Sequence, residues 1–440
     1  MNLLTGSIWD KILYFAFPLA ISSILQQLFN SADSAIVGRF NGSLALAAVG
    51  SNVTVISLMV NLFVGLSVGV NVVIAGYYAR GEEKESKRAV NTAILLAFVS
   101  GVFLLILGIV TGRVILTWMD TPENVLDLSV LYLRIYFLGM PFMMIYNFGS
   151  AVLRSIGDTK RPLFILIFSG ICNVGLNLFF VVGLHMSVAG VALATVISNG
   201  ISSFLILWIL FHEEGMIRLD FSCGVDKETF QKVLSIGLPA GIQGIVFSIS
   251  NVCIQTAVNG FGADATAGCS ISWNFEYLIY YLLNAFSQAA ITFVSQNYGV
   301  GNIKRCRRIV LTAVGLSMII TESVCLLFVI KAPFFTGIFS DNEVVKGYAM
   351  TRMGYILTFE FMNVILDGVS GGLRGMGRSL VPALITVGGV CLFRFFWLGV
   401  VFSANPTYET LHLVYPVSWI ITITAILIYY WIVIKKEKNV

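Results

Sequence analysis

Hydrophobic residues run along this chain in long stretches that are separated by short polar connections. A helix needs about 20 mostly apolar residues to cross a bilayer. Twelve stretches reach that length, and each predicts one membrane-spanning helix. The predicted spans are 12–37, 50–79, 89–112, 128–152, 162–184, 188–211, 232–258, 268–297, 309–331, 347–370, 381–402 and 412–434. The pattern therefore predicts an all-α integral membrane protein.

The composition narrows the possible classes further. Of the 440 residues 57% are hydrophobic and only 11% are charged, against about 25% charged in soluble domains. This balance disfavours a soluble enzyme, a disordered protein and a nucleic-acid binder. The seven cysteines are scattered, mostly inside apolar runs, so we expect them to be core residues and not disulfides or metal ligands.

The basic residues alternate from one connection to the next. Twenty of the 27 Lys and Arg fall in one set of alternate connections, four fall in the opposite set, and three lie inside spans. Cytoplasmic loops of membrane proteins are enriched in Lys and Arg. We therefore predict that both termini are cytoplasmic, which requires an even number of spans.

The two halves of the chain repeat each other at an offset of 220 or 221 residues. Pro18 matches Pro239, Arg154 matches Arg374, and GYYARGEEKESKRA (76–89) matches QNYGVGNIKRCRRI (296–309). Six spans return a chain to its starting side, so the repeats are parallel. They predict two six-helix bundles related by a pseudo-twofold axis along the membrane normal. This architecture is typical of alternating-access transporters.

The most charged connection places the boundary between the bundles. We predict an N-terminal bundle at 1–212, a cytoplasmic linker at 213–229 and a C-terminal bundle at 230–440.

Several spans carry polar residues on one helix face, where an ionisable group is costly and usually serves a function. Spacings of three or four residues align such groups in spans 1, 5, 8 and 10. The candidates for a substrate cavity are Gln26, Asn30, Glu276, Tyr280, Asn284, Glu360, Asn363 and Asp367. Hydrogen bonding between helices is the alternative role for the amides. Arg134 and Arg352 are expected to pair with these acids.

Asp33 is the strongest candidate for binding a coupling ion. A desolvated carboxylate binds a proton more readily, and together with amide and hydroxyl oxygens it also suits a hard cation such as sodium. Asn173 and Asn177 offer such oxygens one helical turn apart. The equivalent positions in the second half are apolar, with Ile254 in place of Asp33, so we expect the ion site in the first bundle.

These features together resemble the multidrug and toxic compound extrusion (MATE) family, of the bacterial DinF/NorM-like kind. The resemblance rests on FPLAISSILQQLFNSADSAIVGR (17–39), YYARGEEKESKRA (77–89), CNVGLNLFFVVGL (172–184) and FVSQNYGVGN (293–302), among other segments along nearly the whole chain. It implies efflux of organic cations in exchange for protons or sodium. It also implies a coupling-ion site, with Na⁺ as one candidate, at Asp33, Asn173, Asn177 and Thr195. Some members carry an Asp where Asn177 stands, so this site has one carboxylate fewer.

The expected partners are small organic cations and the lipid bilayer, with no nucleic acid and no cofactor besides the coupling ion. We expect a non-enzymatic antiporter, functional as a monomer, in the cell's cytoplasmic (inner) membrane. A flippase for a lipid or a lipid-linked saccharide is the first alternative, although few basic residues lie inside the spans to hold a pyrophosphate. A membrane enzyme or a channel is less favoured, because the short loops show no catalytic cluster or selectivity filter.

Overall fold

The computed structural model describes residues 2–119 and 121–437, which form helices and connections without any β-strand. Short π-helical turns at Leu178–Gly183, Val387–Leu392 and Leu398–Phe402 interrupt two of the spans. The helices are α1 Trp9–Arg80, α2 Glu83–Trp118, α3 Glu123–Leu138, α4 Met140–Ser155, α5 Lys160–Asn177, α6 Ser187–His212, α7 Lys227–Asn259, α8 Ala263–Gly299, α9 Ile303–Ile330, α10 Ala332–Gly337, α11 Glu343–Leu357, α12 Glu360–Gly375, α13 Leu380–Thr386, α14 Phe393–Trp397 and α15 Tyr408–Glu437.

The helices account for the twelve predicted spans. Helix α1 has 72 residues and would be about 108 Å long if straight, far more than the roughly 30 Å of a bilayer core. Its backbone breaks at Gly42, whose φ of 82° lies in the left-handed region that glycine adopts without strain, so α1 supplies two spans. Two other spans are bent pairs, α3 with α4 at 48° and α11 with α12 at 44°. The predicted fold class is confirmed.

The described chain forms two compact units. Among the described residues, unit 1 lies within 21–241, and unit 2 comprises residues 2–20 together with 242–437. The divisions therefore fall inside α1 and α7, directly after Ala20 and after Gly241. The domain boundaries at 213–229 that the sequence suggests remain a prediction.

In unit 1 the helices approach closely at glycines. A Cβ added at Gly101 would lie 2.3 Å from the Cα of Pro141, and one added at Gly65 would lie 2.3 Å from the backbone nitrogen of Gly241. Small residues allow this approach of backbones, which stabilises helix pairs by van der Waals contact where lipid replaces water.

The connection between α6 and α7 is held against α2 in unit 1. The Asn91 side-chain amide donates to the carbonyls of Asp220, at 2.6 Å, and of Gly224, at 3.0 Å. The backbone N–H of Asp226 donates to the Thr92 hydroxyl at 3.0 Å. Ile217 in this connection is buried. The segment is therefore an ordered part of unit 1.

In unit 2 the central helix α8 packs against α9, α11 and α12. The start of the chain is fixed to the same unit, because Asn297 donates to the carbonyl of Leu3 at 3.2 Å and Arg305 donates to the carbonyl of Thr5 at 3.1 Å. Phe15 packs edge-on against Phe293, with ring centroids 5.5 Å apart.

Candidate functional site

Unit 1 brings Asp33 of α1 together with the two asparagines of α5. The Asn177 amide nitrogen donates to Asp33 Oδ1 at 2.5 Å and to Asn173 Oδ1 at 3.2 Å. All three side chains are buried, Asn177 completely. Thr195 of α6 lies close enough to act on the Asp33 carboxylate, and its hydroxyl donates to the carbonyl of Val191 at 3.0 Å. The four residues that the resemblance indicates therefore form one polar site, which we call the Asp33 site.

The Asp33 site contains a buried oxygen atom that accepts no hydrogen bond from the described residues. Asn177 Oδ1 is buried and has no hydrogen-bond partner in the described part of the chain. No described Lys or Arg forms an ion pair with Asp33, and Arg39 is exposed. A buried carboxylate without a basic partner is unfavourable when ionised, and an unpaired amide oxygen adds a further cost. A proton on Asp33, or a cation held by these oxygens, would relieve both costs.

The local backbone explains how α5 presents its two asparagines. Asn173 and Asn177 are four residues apart and so lie on one face of the helix. A π-helical turn at Leu178–Gly183 follows Asn177 directly. Such turns often occur at functional sites, because they release backbone groups from the regular α-helical pattern.

Sequence reasoning did not find all the neighbours of Asp33. The Asn173 amide donates to the hydroxyl of Ser198 at 3.5 Å. Tyr132 and Tyr136 of α3 lie near enough to interact electrostatically with Asp33, and their rings stack with centroids 5.8 Å apart. The only signal for the tyrosines is their spacing of four residues, which is common in packed helices.

The other two members of the polar stripe in span 1 have a different environment. Gln26 and Asn30 are exposed, whereas Asp33 is buried. Their assignment to a substrate cavity remains a prediction.

Unit 2 contains a second buried polar group around Arg352 of α11. Arg352 binds Glu276 of α8 through two hydrogen bonds, Nε to Oε1 at 2.7 Å and Nη2 to Oε2 at 2.8 Å. This confirms the predicted pairing of Arg352 with a span acid, whereas Arg134 is exposed. Nη1 of Arg352 also lies 3.1 Å from Nε2 of His412, a completely buried residue that the sequence placed only near a span end.

The acids of span 10 lie on α12 in the same unit. Glu360 is buried and accepts a hydrogen bond from Asn363 at 2.8 Å. Asp367 Oδ2 is buried without a partner among the described residues. On α8, Tyr280 is exposed and Asn284 is half-buried. The roles predicted for these residues in substrate binding remain predictions.

Comparison with known proteins agrees with this architecture. The family model described as MatE matches residues 18–179 and again residues 239–397. The chain is 28% identical over 453 residues to the probable multidrug resistance protein YoeA of Bacillus subtilis, covering 98% of this chain and 95% of that protein. It is 26% identical over 382 residues to the probable multidrug resistance protein NorM of Thermotoga maritima, covering 86% and 82%.

A solved structure shows the same fold. The outward-facing structure of a multidrug resistance MATE family transporter superposes with a TM-score of 0.90 at 20% identity, covering all of this chain and 98% of that one. With its two matches to the family model and this fold, the chain belongs to the MATE family of multidrug efflux transporters. It is a multi-pass membrane protein, and its homologues are transporters and not enzymes.

Proposed function

We propose that the protein exports organic cations across the cytoplasmic membrane in exchange for protons or sodium, with the coupling ion bound at the Asp33 site. The observation that carries the proposal is the buried Asp33 carboxylate, which accepts a hydrogen bond from Asn177 and has no basic partner among the described residues. A buried carboxylate of this kind is expected to exchange a cation or a proton with the solvent during a transport cycle.

The same site explains how ion binding drives transport. An ion that binds one conformation of the transporter more tightly than another shifts the population between them. The site is dehydrated in this conformation, so the ionised, ion-free form is disfavoured here. Proton or sodium binding at Asp33 therefore favours this conformation, and loss of the ion favours a more hydrated one. Coupling follows when the substrate has the opposite preference.

The substrate class follows from the acids and aromatic rings of the spans. Carboxylates attract cations, and aromatic faces bind them when the charge lies over the ring. The exposed or half-buried candidates Gln26, Asn30, Tyr280, Asn284 and Asn363 would supply polar contacts. Hydrophobic organic cations satisfy both requirements, and the multidrug resistance names of the relatives support this class. We expect no other cofactor and a functional monomer.

The test uses purified full-length protein in liposomes with the fluorescent cation ethidium. A proton gradient and a sodium gradient are imposed separately, and ethidium movement is recorded. Wild-type protein should move ethidium against its gradient with at least one ion. Asp33→Asn should reduce this movement to that of protein-free liposomes, while ethidium binding in detergent persists.

Glu322→Gln is the matched control, because it also removes a span carboxylate but lies on α9, outside the Asp33 site. It should transport as the wild type does. Full gradient-driven transport by Asp33→Asn would refute the role of Asp33. No transport by the wild type with either gradient, across several cations, would refute cation exchange and favour the lipid flippase, which labelled-lipid transfer would then test.

A further inference from the structure

Each repeat joins its first and fifth spans through a buried polar contact, and the charged residue in that contact is an acid in unit 1 and an arginine in unit 2. With the offset of 221 for the first spans, Asn30 of α1 corresponds to Asn251 of α7, and with the offset of 220 for the later spans, Val174 of α5 corresponds to Arg394 of α14. In unit 1 the first and fifth spans are joined by the bond between Asp33 and Asn177. In unit 2 the equivalent spans are joined by Arg394, whose Nη1 donates to Asn251 Oδ1 at 3.0 Å.

The backbone around Arg394 departs from the regular α-helix. Arg394 lies in the five-residue helix α14, with π-helical turns at Val387–Leu392 before it and at Leu398–Phe402 after it. The second of these turns corresponds in the repeat to the turn that follows Asn177 in unit 1. The irregular backbone that accompanies the Asp33 site is therefore also present beside Arg394.

The Arg394 guanidinium is deeply buried and incompletely paired. Its side chain is only 1% exposed, and its Nε has no hydrogen-bond partner in the described part of the chain. Its other close contacts are two aromatic rings, those of Tyr415 at 4.4 Å and Phe247 at 5.3 Å from Cζ. Amide and ring contacts stabilise a cation, but they carry no negative charge.

The neighbouring groups do not balance this charge. Arg352 lies over the same Tyr415 ring, with its Cζ at 5.5 Å. Glu276 also interacts electrostatically with Arg394, but both of its carboxylate oxygens are already bound by Arg352. His412 cannot supply a negative charge, since imidazole is neutral or cationic; its Nδ1 lies 2.8 Å from the Tyr408 carbonyl and its Nε2 lies 3.1 Å from Arg352.

The Arg394 cluster, which we define as Arg394, Asn251, Tyr415, Arg352, Glu276 and His412, thus holds two guanidinium groups and one carboxylate. An uncompensated charge inside a protein is strongly unfavourable unless a partner neutralises it. Such a charge within a membrane span usually marks a pathway or binding site for a counter-charge.

We propose that the Arg394 cluster binds the oxyanion of an organic ligand, most simply a carboxylate on a transported compound. Arginine is suited to this role, because its planar guanidinium presents several donors to one carboxylate. Asn251 and Phe247, which both contact Arg394, are half-buried. The inference rests on the proposed function and extends its substrates to zwitterionic and anionic aromatic compounds.

The test compares an aromatic carboxylate, naphthoate, with its uncharged carboxamide. Binding to full-length protein in phosphatidylcholine nanodiscs is followed by tryptophan fluorescence. Wild-type protein should bind naphthoate about tenfold more tightly than the amide, as expected for one charge-assisted contact. Arg394→Gln should remove this preference, and Arg394→Lys should keep part of it.

Arg134→Gln is the matched control, since it removes an exposed arginine of another span and should leave the preference unchanged. Asn251→Asp provides a second variant if Arg394→Gln does not fold. It places a carboxylate beside Arg394, so the cluster is neutralised internally and the preference should again disappear. A preference that survives in Arg394→Gln or in Asn251→Asp, or that is absent from the wild type, would overturn the proposal.

Two further measurements complete the test. One distinguishes a lipid phosphate from a transported carboxylate as the ligand, and the other distinguishes failure of this inference from failure of the proposed function. Repeating the titration with phosphatidylglycerol in the nanodisc asks whether a lipid phosphate fills the cluster. Weaker naphthoate binding there, with no change for Arg394→Gln, would support an oxyanion site occupied by lipid and overturn its assignment to transported carboxylates. Ethidium transport is measured on the same preparations. Transport without a carboxylate preference would refute this inference alone. A carboxylate preference without ethidium transport would refute the proposed function alone.

Discussion

Removal of one partner from the Glu276–Arg352 ion pair is expected to destabilise unit 2 strongly. The side chains are only 16% and 2% exposed, respectively. Glu276→Ala leaves the Arg352 guanidinium buried with neutral partners, His412 at 3.1 Å and the Tyr415 hydroxyl at 3.5 Å. Loss of one partner from a buried pair costs about 3–5 kcal/mol, because the remaining charge stays dehydrated and uncompensated.

Replacing both partners should cost far less. In the double variant Glu276→Leu with Arg352→Met no charge from the pair remains buried, and such apolar replacements are often close to neutral. The interaction energy from a double-mutant cycle should therefore be at least about 2 kcal/mol. The assay is thermal unfolding of full-length protein in one detergent, followed by tryptophan fluorescence.

The pair of Glu343 and Lys346 is the control for this experiment. The Glu343 side chain is 82% exposed, so Glu343→Ala should change the free energy of unfolding by less than about 1 kcal/mol. A Glu276→Ala protein that unfolds at the wild-type temperature would refute the reasoning. A double variant that is as unstable as the sum of the single variants would refute it as well, since the charges would then be energetically independent.

Three further predictions concern the ion site, the helix packing and the connection between α6 and α7. Asn177→Asp adds a carboxylate beside Asp33 and should increase sodium affinity at least about tenfold, measured by sodium titration of tryptophan fluorescence; an unchanged affinity would show that sodium does not bind there. Gly65→Ala should lower the unfolding temperature, because its Cβ would lie 2.3 Å from the backbone of α7, whereas Gly50→Ala, with open space around it, should not; equal effects would contradict the packing. Asp226 precedes α7, and its interactions with the hydroxyl and the backbone N–H of Thr229, the third residue of the helix, lower its pKa. Its contribution to the stability of the folded protein is therefore present at neutral pH and is lost as the pH falls through that lowered pKa. Asp226→Ala should cost about 1 kcal/mol at neutral pH and less in acid, measured by unfolding at both pH values; an equal loss at both would refute the cap.

The spans, the repeat and the Asp33 site could be predicted because each leaves a local signal. Apolar length alone identifies a membrane span, and a single offset relates the halves. The spacing of four residues between Asn173 and Asn177 places both on one face, and a carboxylate in an apolar run stands out. The position of Thr195, in contrast, was predicted only through the family resemblance.

The contacts of unit 2 leave weaker signals. His412 reads as a residue near a span end, and only the packing of α15 against α11 places it beside Arg352. The bond between Arg394 and Asn251 joins positions 143 residues apart, so no periodicity indicates it. The π-helical turns around α14 also escape prediction, because their residues are as apolar as those of any other span.

The repeat explains why these unpredicted contacts carry functional information. Asn30 and Asn251 are identical residues at matching positions of the two repeats. The fifth spans have diverged, since unit 1 keeps two asparagines facing an acid and unit 2 has an arginine facing an amide. Structural packing alone would favour apolar residues at both places, because a buried ionised group costs several kcal/mol. The repeats thus bury charged groups of opposite sign, Asp33 and Arg394, at positions whose counterparts Ile254 and Val174 are apolar. This difference is better explained by ligands of opposite charge than by a shared structural requirement.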